Sequence, residues 1–140
     1  MPTWIIYALF SAISASFVAI FGKIGISSLD TTVATTVRAI IMAVFLMLTT
    51  VILGKTQHLS SISSRALFFI VLSGIAGAVS WLFYFFALSK GPASGVAALD
   101  RLSVVFVFTF SLLLLGEKFE FRSLFGVVLI TVGAILMSVR

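Results

Sequence analysis

The stretch GVAALDRLSVVFVF, Gly95–Phe108, sets Asp100 beside Arg101 in a run that is otherwise apolar or hydroxyl-bearing. Its flanks decide how it is read. The run stays uncharged on both sides from Pro92 to Gly116, and a bilayer's hydrocarbon core is crossed by about 20 mostly apolar helical residues. An acid and a base inside such a run are expensive, at least ~2.5 to 3.5 kcal/mol for each charge on insertion scales, so they need a structural or functional reason.

Working outward, four more runs have the same character. Trp4–Gly22 and Ala66–Ser89 carry no charge, Thr31–Gly54 carries only Arg38, and Ser123–Val139 is short but uncharged. Of the 140 residues, 61% are hydrophobic and 9% charged, against roughly 25% charged in a soluble domain. Mean hydropathy is +1.31. The expectation is an all-α membrane protein, a five-transmembrane-helix bundle with spans at about 4–22, 31–54, 66–89, 92–116 and 123–139, forming one transmembrane domain over 1–140. Most of its apolar surface must face lipid, which makes it a multi-pass protein of the cell membrane. An odd number of spans puts the two termini on opposite faces.

The links read as helix punctuation. Asp30 in SSLD is placed to cap the second span, SSISSR offers hydroxyl caps for the third, Gly91-Pro92 ends one helix and starts the next, and Gly116 closes the fourth. No link has room for a soluble domain. The N-terminus, MPTWIIYALF, has neither the basic region nor the cleavage site of a signal peptide, so the first span is expected to be retained. A start at Met1 and an end just past span five favour a complete half-size chain.

Composition excludes several functions. The net charge of +5 and pI near 10.3 come from Lys and Arg scattered singly between apolar runs, so no nucleic-acid partner is expected. With no cysteine, disulfides and thiolate chemistry are absent. GKT at Gly54–Thr56 resembles the end of a phosphate-binding loop, but that motif's first glycine would fall on Thr49. The lone His58 has no second His or Cys with which to hold a metal. No nucleophile has a base and an orienting partner, so neither an enzyme nor a cofactor is expected.

Arg38 lies about seven residues into span two and Asp100 about eight into span four, counted from the same face, so at 1.5 Å per residue both sit about 10 to 12 Å deep. Trp81 and Tyr84 fall at about 12 and 7.5 Å on one face of span three. Ser14 and Ser16 of span one lie at about 9 to 12 Å by the same rise. Arg38, Asp100, Arg101, Trp81 and Tyr84 are therefore the candidate substrate-binding or coupling residues, with Asp100 as a protonation switch and Arg38 as its partner or as an anion clamp. Bland readings stand beside these. Arg38 with Asp100 is also what a structural salt bridge looks like, Arg101 can snorkel to the surface, the aromatics can be packing residues, and the serines can bond back to their own helix. Gly74 and Gly77 in span three and Gly126 and Gly133 in span five form small-residue faces, suited to helix packing or to a dimer contact.

Taken in order, LDTTVATTVRAII, SGIAGAVSWLFYFFAL, GVAALDRLSVVF, LLLLGEKF and GVVLITVGAILM resemble the EamA-like domain of the drug/metabolite transporter superfamily, in particular its short five-span bacterial and archaeal branch. The resemblance runs from about Trp4 to Met137. Larger members carry two such domains in tandem with inverted orientation and a substrate path between them. One copy therefore implies half of a ten-helix fold, working as a homodimer. The loop charges, Lys55, Arg65, Lys118 and Arg122 on one face against Lys23, Lys90 and Arg140 on the other, are balanced enough to suit an antiparallel pair. By the resemblance Arg38, Asp100 and Glu117 stand where members tend to keep Arg, Asp and Glu. The chain departs from the pattern at Phe86, Gly95 and Ala98, where an arginine, a basic residue and a proline are expected. Its first span also lacks the glutamate by which small four-span relatives bind cationic drugs. The function implied is secondary transport of a small polar metabolite, in or out, coupled to protons or by exchange. The alternative is a non-transporting membrane scaffold whose charges lock helices together.

Overall fold

No strand occurs in the computed structural model, which describes residues 2–139. Six α-helices follow one another: α1 (Thr3–Gly25), α2 (Thr31–Ile52), α3 (Ser64–Lys90), α4 (Ala93–Asp100), α5 (Ser103–Phe110) and α6 (Phe121–Ser138). A 3-10 helix, Thr56–Ser61, lies between α2 and α3, and a π turn, Ser111–Leu115, prolongs α5. Because α4, α5 and the π turn together make one 23-residue span, Ala93–Leu115, five segments are long and apolar enough to cross a membrane. These are the five spans expected, with the third and fifth beginning slightly earlier, at Ser64 and Phe121. Arg140, counted among the loop charges, lies outside the described residues.

The ends of the spans show why they stop where they do. Asp30 Oδ1 accepts hydrogen bonds from the backbone N–H groups of Thr32 at 2.8 Å and Val33 at 3.1 Å, satisfying donors that the first turn of α2 leaves without a partner, an effect of about 1 kcal/mol. At the other end of α2 the Gly54 N–H donates to Val51 C=O and the Lys55 N–H to Thr50 C=O, both at 2.9 Å. This pairing requires a left-handed residue between helix and exit, and Gly54 supplies it with φ +64°. The GKT sequence is thus a helix stop. The Ser63 hydroxyl accepts from the Ala66 N–H at 3.3 Å, Pro92 caps α4, and Gly116 ends the π turn with φ +67°.

The chain divides into two compact units, one made of the residues up to Lys23 with those from Lys90 onward, the other of Ile24–Ser89. In the first, α6 packs along α4 and, less extensively, against α5. Gly95 explains the closeness of α4 and α6. A Cβ there would stand 3.3 Å from Pro92 Cγ, 3.5 Å from Met137 O and 3.8 Å from Ser138 Cα, and Val96 and Ala134 are buried nearby in sequence. A basic side chain at this position would press on the Pro92 ring and the end of α6. Lys23, at the end of α1, donates from Nζ to Gly91 C=O at 2.9 Å, placing a cation on a carbonyl just beyond the end of α3. In the second unit Thr35, Phe85 and Leu88 are buried.

Few residues of any span are buried, and large side chains such as Phe10, Phe45, Phe68 and Phe125 are exposed along their helices. In water such a surface would drive aggregation; in a bilayer it is the lipid-facing surface.

Gly95→Leu is expected to lose about 1 to 3 kcal/mol of stability by overpacking the α4–α6 contact. The neighbouring Ser94→Leu, at an exposed position, is expected to leave stability within about 0.5 kcal/mol of the parent. Thermal unfolding of the purified proteins in one detergent compares them.

Candidate functional site

Arg38 projects from the first half of α2 onto an aromatic face of α3. Its guanidinium carbon lies 3.6 Å from the centre of the Trp81 ring and 5.8 Å from that of Phe85. Trp81, Tyr84 and Phe85, spaced i, i+3 and i+4, share one face of α3. Their ring centres are 5.3 Å apart for Trp81 and Tyr84, 6.1 Å for Trp81 and Phe85, and 6.2 Å for Tyr84 and Phe85, each pair tilted or edge to face. Such pairs place a positive ring edge against a negative ring face, and a ring face attracts a cation. A cation over tryptophan gains about 2 kcal/mol when desolvated, which offsets part of the cost of carrying Arg38 within an apolar span. Three of the five expected site residues, Arg38, Trp81 and Tyr84, are thus together in one unit.

Asp100 and Arg101 belong to the other unit, at a discontinuity within span four. Asp100 is the last residue of α4, and α5 starts at Ser103. Between them the backbone tightens. The N–H of Arg101 donates to Ala98 C=O at 3.1 Å and that of Leu102 to Leu99 C=O at 2.9 Å, while Val104 donates to Arg101 C=O at 3.0 Å and Val105 to Leu102 C=O at 2.9 Å. These are i to i+3 bonds, the 3-10 pattern, and such a stretch inside a helix often marks a hinge. With a rise of about 2.0 Å and 3.0 residues per turn there, against 1.5 Å and 3.6 elsewhere, the residues after Arg101 are re-aimed relative to a continuous α-helix. Arg101 is also the C-cap of α4, where carbonyl dipoles favour a cation. Both side chains are exposed.

Other candidates fare differently. The Ser16 hydroxyl bonds back to Ile13 C=O at 2.7 Å, as the bland reading of that serine has it. Among the described residues nothing lies within 4 Å of a Cβ built at Gly74, Gly77, Gly126 or Gly133, so these faces are open within the chain. Glu117 follows Gly116 in the turn before α6, where its N–H donates to Ser111 C=O at 3.3 Å. No group of His, Cys, Asp and Glu suited to a metal occurs among the described residues. Two features escape a reading of the sequence: Phe85 as the third ring of the cluster, signalled only by its i+4 spacing from Trp81, and the tightened turn at the charged pair, which the sequence does not mark with Gly or Pro.

If Trp81 holds Arg38, the pair is energetically coupled. A double-mutant cycle of Arg38→Met and Trp81→Leu, read by the reversible unfolding of the protein in mixed micelles, is expected to give a coupling of about 1 to 2 kcal/mol; additive losses would show that the stack contributes nothing.

Comparison with known proteins agrees with this architecture. The model of the EamA-like transporter family matches residues 2–139. An uncharacterized transporter of Sinorhizobium sp., named for its place in the cobO 3' region, is 39% identical over 137 residues, covering 98% of this chain and 97% of that protein. An uncharacterized protein of Methanocaldococcus jannaschii, MJ1333.1, is 28% identical over 100 residues, or 71% of this chain and 73% of its own length. No solved structure matches the chain. With five apolar spans, an acid-base pair at a tightened turn in the fourth and a family match from end to end, the chain belongs to the EamA-like transporter family.

Proposed function

We propose that this membrane transporter is a secondary carrier that moves a small polar metabolite across the cytoplasmic membrane by alternating access, coupled to protons or to exchange. The observation that carries the reading is the placement of Asp100 and Arg101 at the discontinuity between α4 and α5 inside a membrane span. Carriers commonly build their sites where a spanning helix is interrupted, because the interruption supplies ion-binding groups and a point of flexion at one depth. Asp100 is the only carboxylate within a span; Asp30, Glu117 and Glu120 lie at helix ends. It is therefore the group to take up and release a proton, with Arg101 beside it and with Arg38, Trp81 and Tyr84 shaping the binding site. The acid-base pair does transport work here, not chemistry on the solute.

The working unit in this reading is an antiparallel homodimer. The similar loop charges on the two faces support it, as does the length of the Sinorhizobium relative, 97% of which is matched by this chain. The open faces at Gly74 and Gly77 and at Gly126 and Gly133 are where the second copy would approach.

In proteoliposomes given an opposed pH gradient and a panel of amino acids, organic acids and sugars, the parent is expected to move at least one solute, with a rate that depends on pH. Asp100→Asn is expected to reduce that rate at least about tenfold and to flatten its pH dependence, while inserting and folding normally. Full transport by Asp100→Asn at every pH would remove Asp100 from the coupling role, and an unfolded variant would favour a structural lock.

Gly74→Leu combined with Gly126→Leu is expected to keep the helical content of the parent, since neither site is crowded within the chain. The same variant should shift the detergent-solubilised protein from dimer to monomer in light scattering.

A further inference from the structure

A guanidinium offers two recognition surfaces, flat faces that stack on aromatic rings and an edge whose N–H donors form a fork matched to a carboxylate. On Arg38 a face is occupied by Trp81, 3.6 Å away, with Phe85 at 5.8 Å. The edge donates none of the side-chain hydrogen bonds found among the described residues of its own unit. Nor is any side-chain nitrogen among the described residues both buried and unpartnered, so the half-buried guanidinium keeps its nitrogens accessible. A fork held rigid by stacking loses less freedom on binding than a mobile one.

The aromatic cluster makes the other half of the argument. Trp81, Tyr84 and Phe85, with ring centres 5.3 to 6.2 Å apart, are the kind of group that attracts organic cations through its ring faces. Here the chain's own guanidinium already covers Trp81, and a second cation would meet both an occupied face and a like charge.

We propose that Arg38, held by Trp81, is the group that binds a carboxylate on the transported solute, and that by covering Trp81 it also bars organic cations from the aromatic cluster. This deepens the carrier reading and rests on it: the substrate class becomes small carboxylate-bearing solutes.

Trp4→Phe leaves Trp81 as the sole tryptophan, since the chain has two. The Trp4→Phe protein in lipid nanodiscs is titrated with sodium butyrate and with butylammonium chloride, equal in chain length and opposite in charge, with sodium chloride as the ionic-strength control. Butyrate is expected to change Trp81 emission saturably and butylammonium to have no effect beyond that of salt. Adding Arg38→Gln is expected to weaken butyrate binding about tenfold or more, the loss of a charge-assisted hydrogen-bond pair, and to let butylammonium produce a saturable change. Arg38→Lys keeps the charge without the planar fork; it is expected to fall between the two, and it carries the test if Arg38→Gln does not fold. The proposal is overturned if butyrate gives no response in the parent, if its response survives unchanged in both Arg38 variants, or if butylammonium binds the parent as tightly as butyrate does. Failure of butylammonium to bind folded Arg38→Gln overturns the exclusion of cations. Butyrate binding by a protein that transports no solute in liposomes would remove the carrier and leave the carboxylate site; transport without a butyrate response would do the reverse.

Discussion

The hydrocarbon core of a membrane offers no hydrogen-bond partner, so every backbone N–H and C=O that enters it must be satisfied from within the chain. The helices of this protein follow from that constraint, and so do their irregularities. Six threonines, Thr35, Thr36, Thr49, Thr50, Thr109 and Thr131, turn their hydroxyls back onto the carbonyl four residues earlier at 2.7 to 2.9 Å. In water such residues compete with a helix; in lipid they are absorbed by it, which is how the threonine-rich α2 remains regular over 22 residues. The turn at Asp100 and Arg101 obeys the same rule. It tightens to i to i+3 bonding rather than opening, so the charged pair disturbs the direction of the span without abandoning its hydrogen bonds.

Helix association in lipid cannot rest on the hydrophobic effect, because lipid chains are as apolar as leucine; close packing and polar contacts must supply it. Where this chain packs, it does so through those means. Gly95 lets α4 reach the backbone of α6 at Met137, and the Lys23 ammonium joins the end of α1 to the carbonyl of Gly91 across 68 residues of sequence. Arg38 meets Trp81 by the same logic, as a cation that finds an aromatic face instead of water. Within the second unit Leu88 and Phe85 are among the few buried side chains.

Much of this was legible in the sequence, and the division between what was and was not has a physical basis. Spans are set by summed transfer free energy over about 20 residues, a property of composition, and the caps at Asp30 and Gly116 follow from local backbone chemistry; both were found where the residues implied. The stack of Arg38 on Trp81 was not. Depth counting ranks residues by height and says nothing of the side-chain directions that bring a guanidinium over one ring and not another. It also assumes a uniform rise, which fails at the 3-10 turn after Asp100. Gly95 was noticed only as the absence of an expected basic residue, because closeness of approach between α4 and α6 has no one-dimensional signal. Lys23 was read as a loop charge for setting orientation, although it also bonds to Gly91.

The two charge centres differ in a way that constrains how a carrier could use them. An arginine keeps its proton throughout the physiological range, so Arg38 is a constant positive charge on Trp81 and no proton can be carried by it. Ionised, the Asp100–Arg101 pair is neutral overall; protonated, it leaves Arg101 uncompensated at the tightened turn between α4 and α5. In the proposed reading, a proton taken up at Asp100 would change the local charge at the tightened turn between α4 and α5 while leaving the charge at Arg38 untouched. A carrier of the proposed kind would separate the group that takes up the proton from the group that holds the solute, so that proton uptake and solute recognition would be altered independently, which a single residue doing both could not allow.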